Sequence, residues 1–150
     1  ENFVQSIFDS LPVEERPSNP SLVVSGDGRY GNLKAVQTII RIAVANGVNN
    51  LIVGQNGHLS TPAMSNIIRQ LNKDKVTCMG AILLTASHNP GGPTEDFGIK
   101  YNAQNGGPAL ETLTNMIYEK SKTIQSYKRA DVPHIDLTKV AATKGQLSTG

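Results

Sequence analysis

Hydrophobic and polar positions alternate along this chain in two different rhythms. Phe3, Val4, Ile7, Phe8 and Leu11 recur at helical spacing, so residues 1–11 are predicted to form a short amphipathic helix. Pro12 to Pro20 is proline-rich and charged, which predicts a loop. Ser21–Val24 is a compact apolar run ending at Gly26, the pattern of a buried strand. Leu33, Val36, Ile39, Ile40, Ala43 and Val44 then mark one stripe of a helix over 33–46, with Asn46-Gly47 suited to a left-handed stop. A second strand is predicted at Leu51–Val53, followed by a strand-end loop from Gly54 to Ser60 that contains His58.

Ser60 or Thr61 caps the next predicted helix, Pro62 lies in its first turn, and Met64, Ile67, Ile68 and Leu71 form its apolar face. Asn72–Lys75 is a polar turn, and Met79–Thr85 is the third strand. Residues 86–98 form a long loop. Gly98–Asn102 is a short strand with Ile99 and Tyr101 on one side and Lys100 on the other, placed to pair antiparallel with the third strand. Asn105–Pro108 is a turn into a helix from about Ala109, with Leu110, Leu113, Ile117 and Ile124 as its buried stripe. Val132–Leu137 is a weak edge-strand candidate, because Pro133 cannot donate to a ladder. The alternation of strands and helices predicts a three-layer α/β/α sandwich with a mixed, mostly parallel sheet.

Composition narrows the class. The 150 residues are 38% hydrophobic and 17% charged, with a net charge of +2, which fits a globular domain and gives no reason to expect nucleic acid. The one cysteine, Cys78, precludes an internal disulfide and fits a reducing compartment; it reads as a core residue. No apolar run approaches roughly 18 residues, so no membrane span is expected. The first residues have neither a basic region nor an apolar core, so they do not read as a signal peptide. Both ends read as cut from a longer chain, with 138–150 as tail or linker.

Two stretches invite chemistry. Gly26-Asp27-Gly28-Arg29-Tyr30-Gly31 fits G-x-G-x-x-G between a strand and a helix. A dinucleotide site also needs an acidic residue about 20 residues on, at the end of the second strand. Gly54-Gln55-Asn56 stands there instead, so a tight glycine turn is the better reading, with Arg29 as a fixed cation able to hold phosphate.

The second stretch is Thr85-Ala86-Ser87-His88-Asn89-Pro90-Gly91-Gly92-Pro93, a stiff loop just past a strand. It lacks the G-x-S-x-G elbow of a hydrolase. His58, His88 and His134 are too scattered to suggest zinc. Phosphate chemistry remains: Ser87 could carry a phosphoryl group, with Lys100, His88 and Arg29 as nearby cations and Glu95 and Asp96 facing water.

That loop, together with Asp96-Phe97-Gly98-Ile99-Lys100-Tyr101-Asn102 and Asn105-Gly106-Gly107-Pro108, resembles the active-serine signature of the α-D-phosphohexomutases, phosphoglucomutase branch, which includes parafusin-type proteins. Gly26–Tyr30 and Gly54–Ala63 are similar to that branch as well, and the likeness runs from about Glu1 to Tyr127. The resemblance implies the first of four α/β domains, in a cytoplasmic enzyme that converts glucose 1-phosphate to glucose 6-phosphate through glucose 1,6-bisphosphate. It implies Ser87 as phosphoserine, His88 against the phosphoryl group and Lys100 as cation or proton partner. Thr85, Asn89, Arg29 and Asn102 would bind substrate or shape the loop. Mg2+ would sit on the serine phosphate. The partners implied are a phosphosugar and the remaining domains, which would hold the metal carboxylates and sugar contacts; the isolated domain is expected to be inactive. Gly31 departs from the bulkier residue of the family. A non-catalytic scaffold or secretion protein of the same fold is the alternative, and it would be expected to show damage in the serine loop.

Overall fold

The computed structural model describes residues 1–140. Its elements in order are α1 (Asn2–Ser10), β1 (Ser21–Gly26), α2 (Asn32–Ala45), β2 (Asn50–His58), α3 (Thr61–Leu71), β3 (Cys78–Leu84), β4 (Ile99–Asn102) and α4 (Glu111–Thr123). A single 3-10 turn, Val13–Glu15, interrupts the loop predicted over 12–20. The sheet order is β2-β1-β3-β4, with β1 parallel to both neighbours and β4 antiparallel to β3.

The sheet is parallel where α2 and α3 carry the chain between strands, and antiparallel where a loop returns it from β3 to β4. Every residue of β1 and β3 is buried, so both strands read as near-continuous apolar runs. The period of two decides which helix each residue meets. Leu22, Val24, Ile82 and Leu84 pack with α1, α2 and α4 around Phe8, Ile39 and Ile117. Val23, Ala81 and Leu83 pack under α3 with Met64 and Ile68. Helices therefore cover both faces, giving the three layers expected. Each fully buried Leu, Ile or Val contributes about 1.5–3 kcal/mol relative to exposure. Cys78 is buried in the α3-side cluster, where loss of solvation pushes its thiol up.

The caps follow local chemistry. Ser60 Oγ accepts the Ala63 N–H at 3.3 Å to start α3, and Pro62 follows in its first turn. Asn46 closes α2, and Gly47 beyond it is left-handed at φ 85°.

Four expectations need correction. β2 does not stop at Val53: it continues to His58, so Gly54–His58 is bulged strand rather than loop. Where its register with β1 shifts, Ser25 Oγ accepts the Gly54 N–H at 2.9 Å and replaces the missing backbone partner. Leu33 is 53% exposed, and the buried residue of that turn is Asn32, whose Nδ2 donates to Gly57 O at 3.1 Å. Leu110 is 76% exposed, because α4 begins one residue later and Leu110 is its cap. Finally, 132–137 forms no strand. The segment instead runs across α2 as a strap. Gln37 donates to Ile135 O at 2.8 Å and accepts from Ile135 N–H at 3.1 Å. Arg41 donates to Val132 O at 3.2 Å and accepts from Ala130 N–H at 3.0 Å. Asn56 N–H donates to Leu137 O at 2.7 Å. Of the expected tail, Thr138 is tied at 2.9 Å by Gln55 Nε2, and residues 141–150 lie outside the described residues.

Candidate active site

The carboxyl ends of β1, β2 and β3 open into one crevice, the usual ligand position in an open α/β sheet. A cleft of about 860 Å³ runs from there around β4. Its polar end holds Asp27, Ser60, Thr85, Ser87, His88 and Lys100.

β3 ends as Thr85 turns out of the ladder, its N–H bound to Gly98 O at 3.0 Å. Gly98 allows this approach, since a Cβ there would lie 2.3 Å from Thr85 O. Two residues on, the Ser87 N–H donates to Thr85 Oγ1 at 3.0 Å. The Thr85 hydroxyl proton in turn goes to Asp27 Oδ2 at 2.7 Å. Ser87 is thereby held at φ 56°, a left-handed conformation uncommon for a non-glycine residue. Lys100 reaches it from β4: its Nζ donates to Ser87 Oγ at 3.1 Å. The β ladder sets that meeting, because Lys100 pairs with Leu83 and so faces the α3 side. Tyr101, one residue on, faces the other core, where its hydroxyl donates to Met79 O and burial pushes its pKa up.

Of the other anticipated residues, His88 is exposed and lines the cleft. Asn89 braces the loop, donating to Asp96 Oδ2 at 2.7 Å. Asn102 is 5% exposed at the cleft wall and donates to Ser65 Oγ at 3.1 Å and Gly106 O at 3.0 Å.

Arg29 is not an open cation. Its side chain is 4% exposed and pairs with Asp27 through Nη2–Oδ2 at 2.7 Å and Nε–Oδ1 at 3.0 Å. Its Nη1 donates to Pro90 O at 3.3 Å and Asp96 O at 2.5 Å, so it clasps the serine loop at two points. The neighbouring Tyr30 N–H adds a bond to Gly91 O at 2.8 Å. Gly91 must be glycine for this contact, since a Cβ would lie 2.7 Å from Arg29 Cβ.

Asp27 is the residue that the sequence reading passed over, although it sits inside the G-D-G-R stretch. The Arg29 guanidinium holds its carboxyl at about 2, against an ordinary 3.8, with Thr85 and the Arg29 amide lowering it further and burial opposing.

The phosphate reading of Ser87 implies a divalent cation. A seryl phosphate at this open hydroxyl would offer hard oxygen donors of the kind Mg2+ takes. Among the described residues no three His, Cys, Asp or Glu side chains cluster as a metal site. Among the described residues no helix is long and apolar enough to cross a membrane.

Residues 1–128 match the family model described as phosphoglucomutase/phosphomannomutase, alpha/beta/alpha domain I. The chain is 54% identical over 145 residues to a cytoplasmic phosphoglucomutase of Mesembryanthemum crystallinum, covering 95% of this chain and 25% of the relative. It is 58% identical over 140 residues to a phosphoglucomutase of Emericella nidulans, covering 93% of this chain and 24% of the relative. Among solved structures, the exocytosis-sensitive phosphoprotein pp63/parafusin (phosphoglucomutase) of Paramecium in its open form superposes with a TM-score of 0.87 at 46% identity, covering 93% of this chain and 25% of that one. The chain thus spans about a quarter of the length of the curated relatives it matches.

Proposed function

Because this chain belongs to the phosphoglucomutase/phosphomannomutase family, as its α/β/α domain I, we propose that it is the phosphoserine-bearing domain of a longer, four-domain, cytoplasmic phosphoglucomutase. The observation that carries the reading is the contact of Lys100 Nζ with Ser87 Oγ at 3.1 Å, in a braced loop at the strand ends.

In the forward direction, phosphorylated Ser87 gives its phosphoryl group to the 6-hydroxyl of glucose 1-phosphate. The P–O bond to Ser87 breaks, a P–O bond to the sugar forms, and the sugar proton ends on Ser87 Oγ by way of Lys100. Glucose 1,6-bisphosphate turns over. Its 1-phosphoryl group passes to Ser87, the serine proton goes to the sugar O1, and glucose 6-phosphate leaves.

The residues of this chain act by position and charge, as phosphoryl transfer requires. Lys100 offsets part of the roughly two negative charges of the phosphoserine, and His88 contacts its phosphoryl group. Thr85, Asn89 and Arg29 keep the loop in shape, and Asn102 shapes the wall beside it. When bound, Mg2+ neutralises charge on the phosphoryl oxygens. Ser87 would hold it through its phosphate, with the other donors and the sugar contacts in the rest of the longer protein. The isolated domain is inactive on this reading.

The alternative, a non-catalytic scaffold or secretion protein of the same fold, finds no support in the loop: Ser87, His88, Asn89 and Lys100 all stand in place. The test is intact mass of the full-length protein after incubation with glucose 1,6-bisphosphate and Mg2+. One phosphoryl group, about 80 Da, is expected on Ser87, either as purified or after the incubation. A Ser87 that carries none in both states overturns the reading.

A further inference from the structure

The carboxylate of Asp27 has no free capacity. Its Oδ1 accepts from the Arg29 backbone N–H at 3.2 Å and from Arg29 Nε at 3.0 Å. Its Oδ2 accepts from Arg29 Nη2 at 2.7 Å, Arg29 Nε at 3.2 Å and the Thr85 hydroxyl at 2.7 Å. A carboxylate offers about four lone-pair sites. Asp27 lines the cleft, yet its acceptors are consumed within the protein, so it is poorly suited to bind a sugar hydroxyl or a cation. What it does is set direction elsewhere.

Thr85 has one hydroxyl proton. Committing that proton to Asp27 leaves the oxygen to accept from the Ser87 N–H. That bond holds Ser87 at its left-handed φ of 56°, where Oγ meets Lys100. The same carboxylate orients Arg29, whose Nη1 pins Pro90 O and Asp96 O. One side chain on the β1 loop therefore controls the serine loop at Ser87 and at two points beyond it.

We infer that Asp27 is a positioning residue for Ser87, acting through Thr85 and Arg29. The inference rests on the reading of Ser87 as the phosphoryl carrier. Without the carboxylate, Thr85 is free to turn its proton elsewhere, the Ser87 amide loses its acceptor, and Oγ is no longer fixed against Lys100.

The test uses the full-length protein with Asp27→Asn, Thr85→Val and the double variant. Asp27→Asn keeps the shape but presents an amide that has lost the charge. The expected result is a fall in kcat of about 100-fold with KM for glucose 1-phosphate unchanged, the mark of misplaced rather than missing groups. The double variant should be no slower than the slower single variant, because both break one relay. In parallel, hydrogen exchange at the Ser87 amide should accelerate at least about tenfold in either single variant. Multiplying losses, a raised KM at unchanged kcat, or unchanged Ser87 exchange would each overturn the role. If Asp27→Asn does not fold, Thr85→Val alone carries the kcat, KM and exchange measurements. If the wild-type protein does not interconvert glucose phosphates, the phosphoserine reading falls, and the Ser87 exchange comparison still decides whether Asp27 holds the loop.

Discussion

Two glycine-rich loops leave neighbouring strands of one sheet, residues 26–31 after β1 and residues 85–98 after β3. They use their glycines differently. In the first, Gly28 and Gly31 sit at φ 86° and 84°, where a side chain is strained, and Gly26 has no room for a Cβ, which would lie 2.1 Å from Asn32 Oδ1. In the second, Gly91, Gly92 and Gly98 are not left-handed at all; Gly91 and Gly98 serve close contacts. The left-handed residue there is Ser87. The lesson is about where strain is kept. The first loop removes side chains so that the backbone can turn. The second keeps a side chain in a conformation that would suit glycine, and spends Thr85, Asp27 and Lys100 on holding it. One loop is a mount and the other is the part mounted.

That contrast can be broken most directly at Ser87. Ser87→Ala in the full-length protein should abolish glucose phosphate interconversion and remove the phosphoryl mass gain. Retained turnover would reduce the second loop to structure like the first. Next in size, Lys100→Met should lower kcat about 100-fold, as expected for loss of a charge and proton partner, with little change in stability because the side chain is exposed. Unchanged kinetics would leave the 3.1 Å contact to Ser87 without a role.

On the mount side, Gly26→Ala should act through folding. The added methyl would meet Asn32 Oδ1 and, at 2.5 Å, Leu84 O, for a loss of about 1–3 kcal/mol read from urea denaturation. A neutral result would show that the loop has slack the structure does not suggest.

The smallest effect joins the two loops. Asp27 has its pKa lowered from 3.8 to about 2, so its ionised form stabilises the fold. That contribution is complete above the unfolded value and is lost as pH falls through about 2. With the carboxylate a third exposed, screening reduces it to about 1 kcal/mol. Wild type should exceed Asp27→Asn in denaturation midpoint at about pH 5, and the gap should close toward about pH 2. A constant gap across that range would mean that the carboxylate's charge adds nothing.

Most of the fold was legible because it obeys simple periods. Ile99, Lys100 and Tyr101 alternate as written, and the antiparallel pairing with β3 follows from the loop between them. Leu33 and Leu110 misled because apolar residues near a helix start need not face the core: Asn32 takes the buried place in the first turn of α2, and Leu110 is the cap of α4 rather than part of its stripe. The extension of β2 to His58 depends on the Ser25 hydroxyl replacing a backbone partner, a contact between residues 29 apart that no local pattern carries. The site divides in the same way. Ser87 and His88 were legible as a stiff loop past β3, and Lys100 as the residue of β4 that meets it. Arg29 looked like a cation for substrate because its charge is visible in sequence and its partner is not: Asp27, two residues away, neutralises it. Of the dinucleotide-like glycines, Gly28 and Gly31 are the left-handed turn residues that were expected, and Gly26 is the last residue of β1.

The strap over 130–138 has a consequence for how chains behave toward one another. β2 is an outer strand of the sheet, and an outer strand is a template for pairing with another molecule. Leu137 O takes up the N–H of Asn56, and Gln55 is occupied with Thr138 O. The same stretch is fastened to α2 by the paired bonds of Gln37 with Ile135. The segment that gives this domain no strand of its own thus blocks the far end of the rim along which two copies could join, and its loss would first be felt as aggregation.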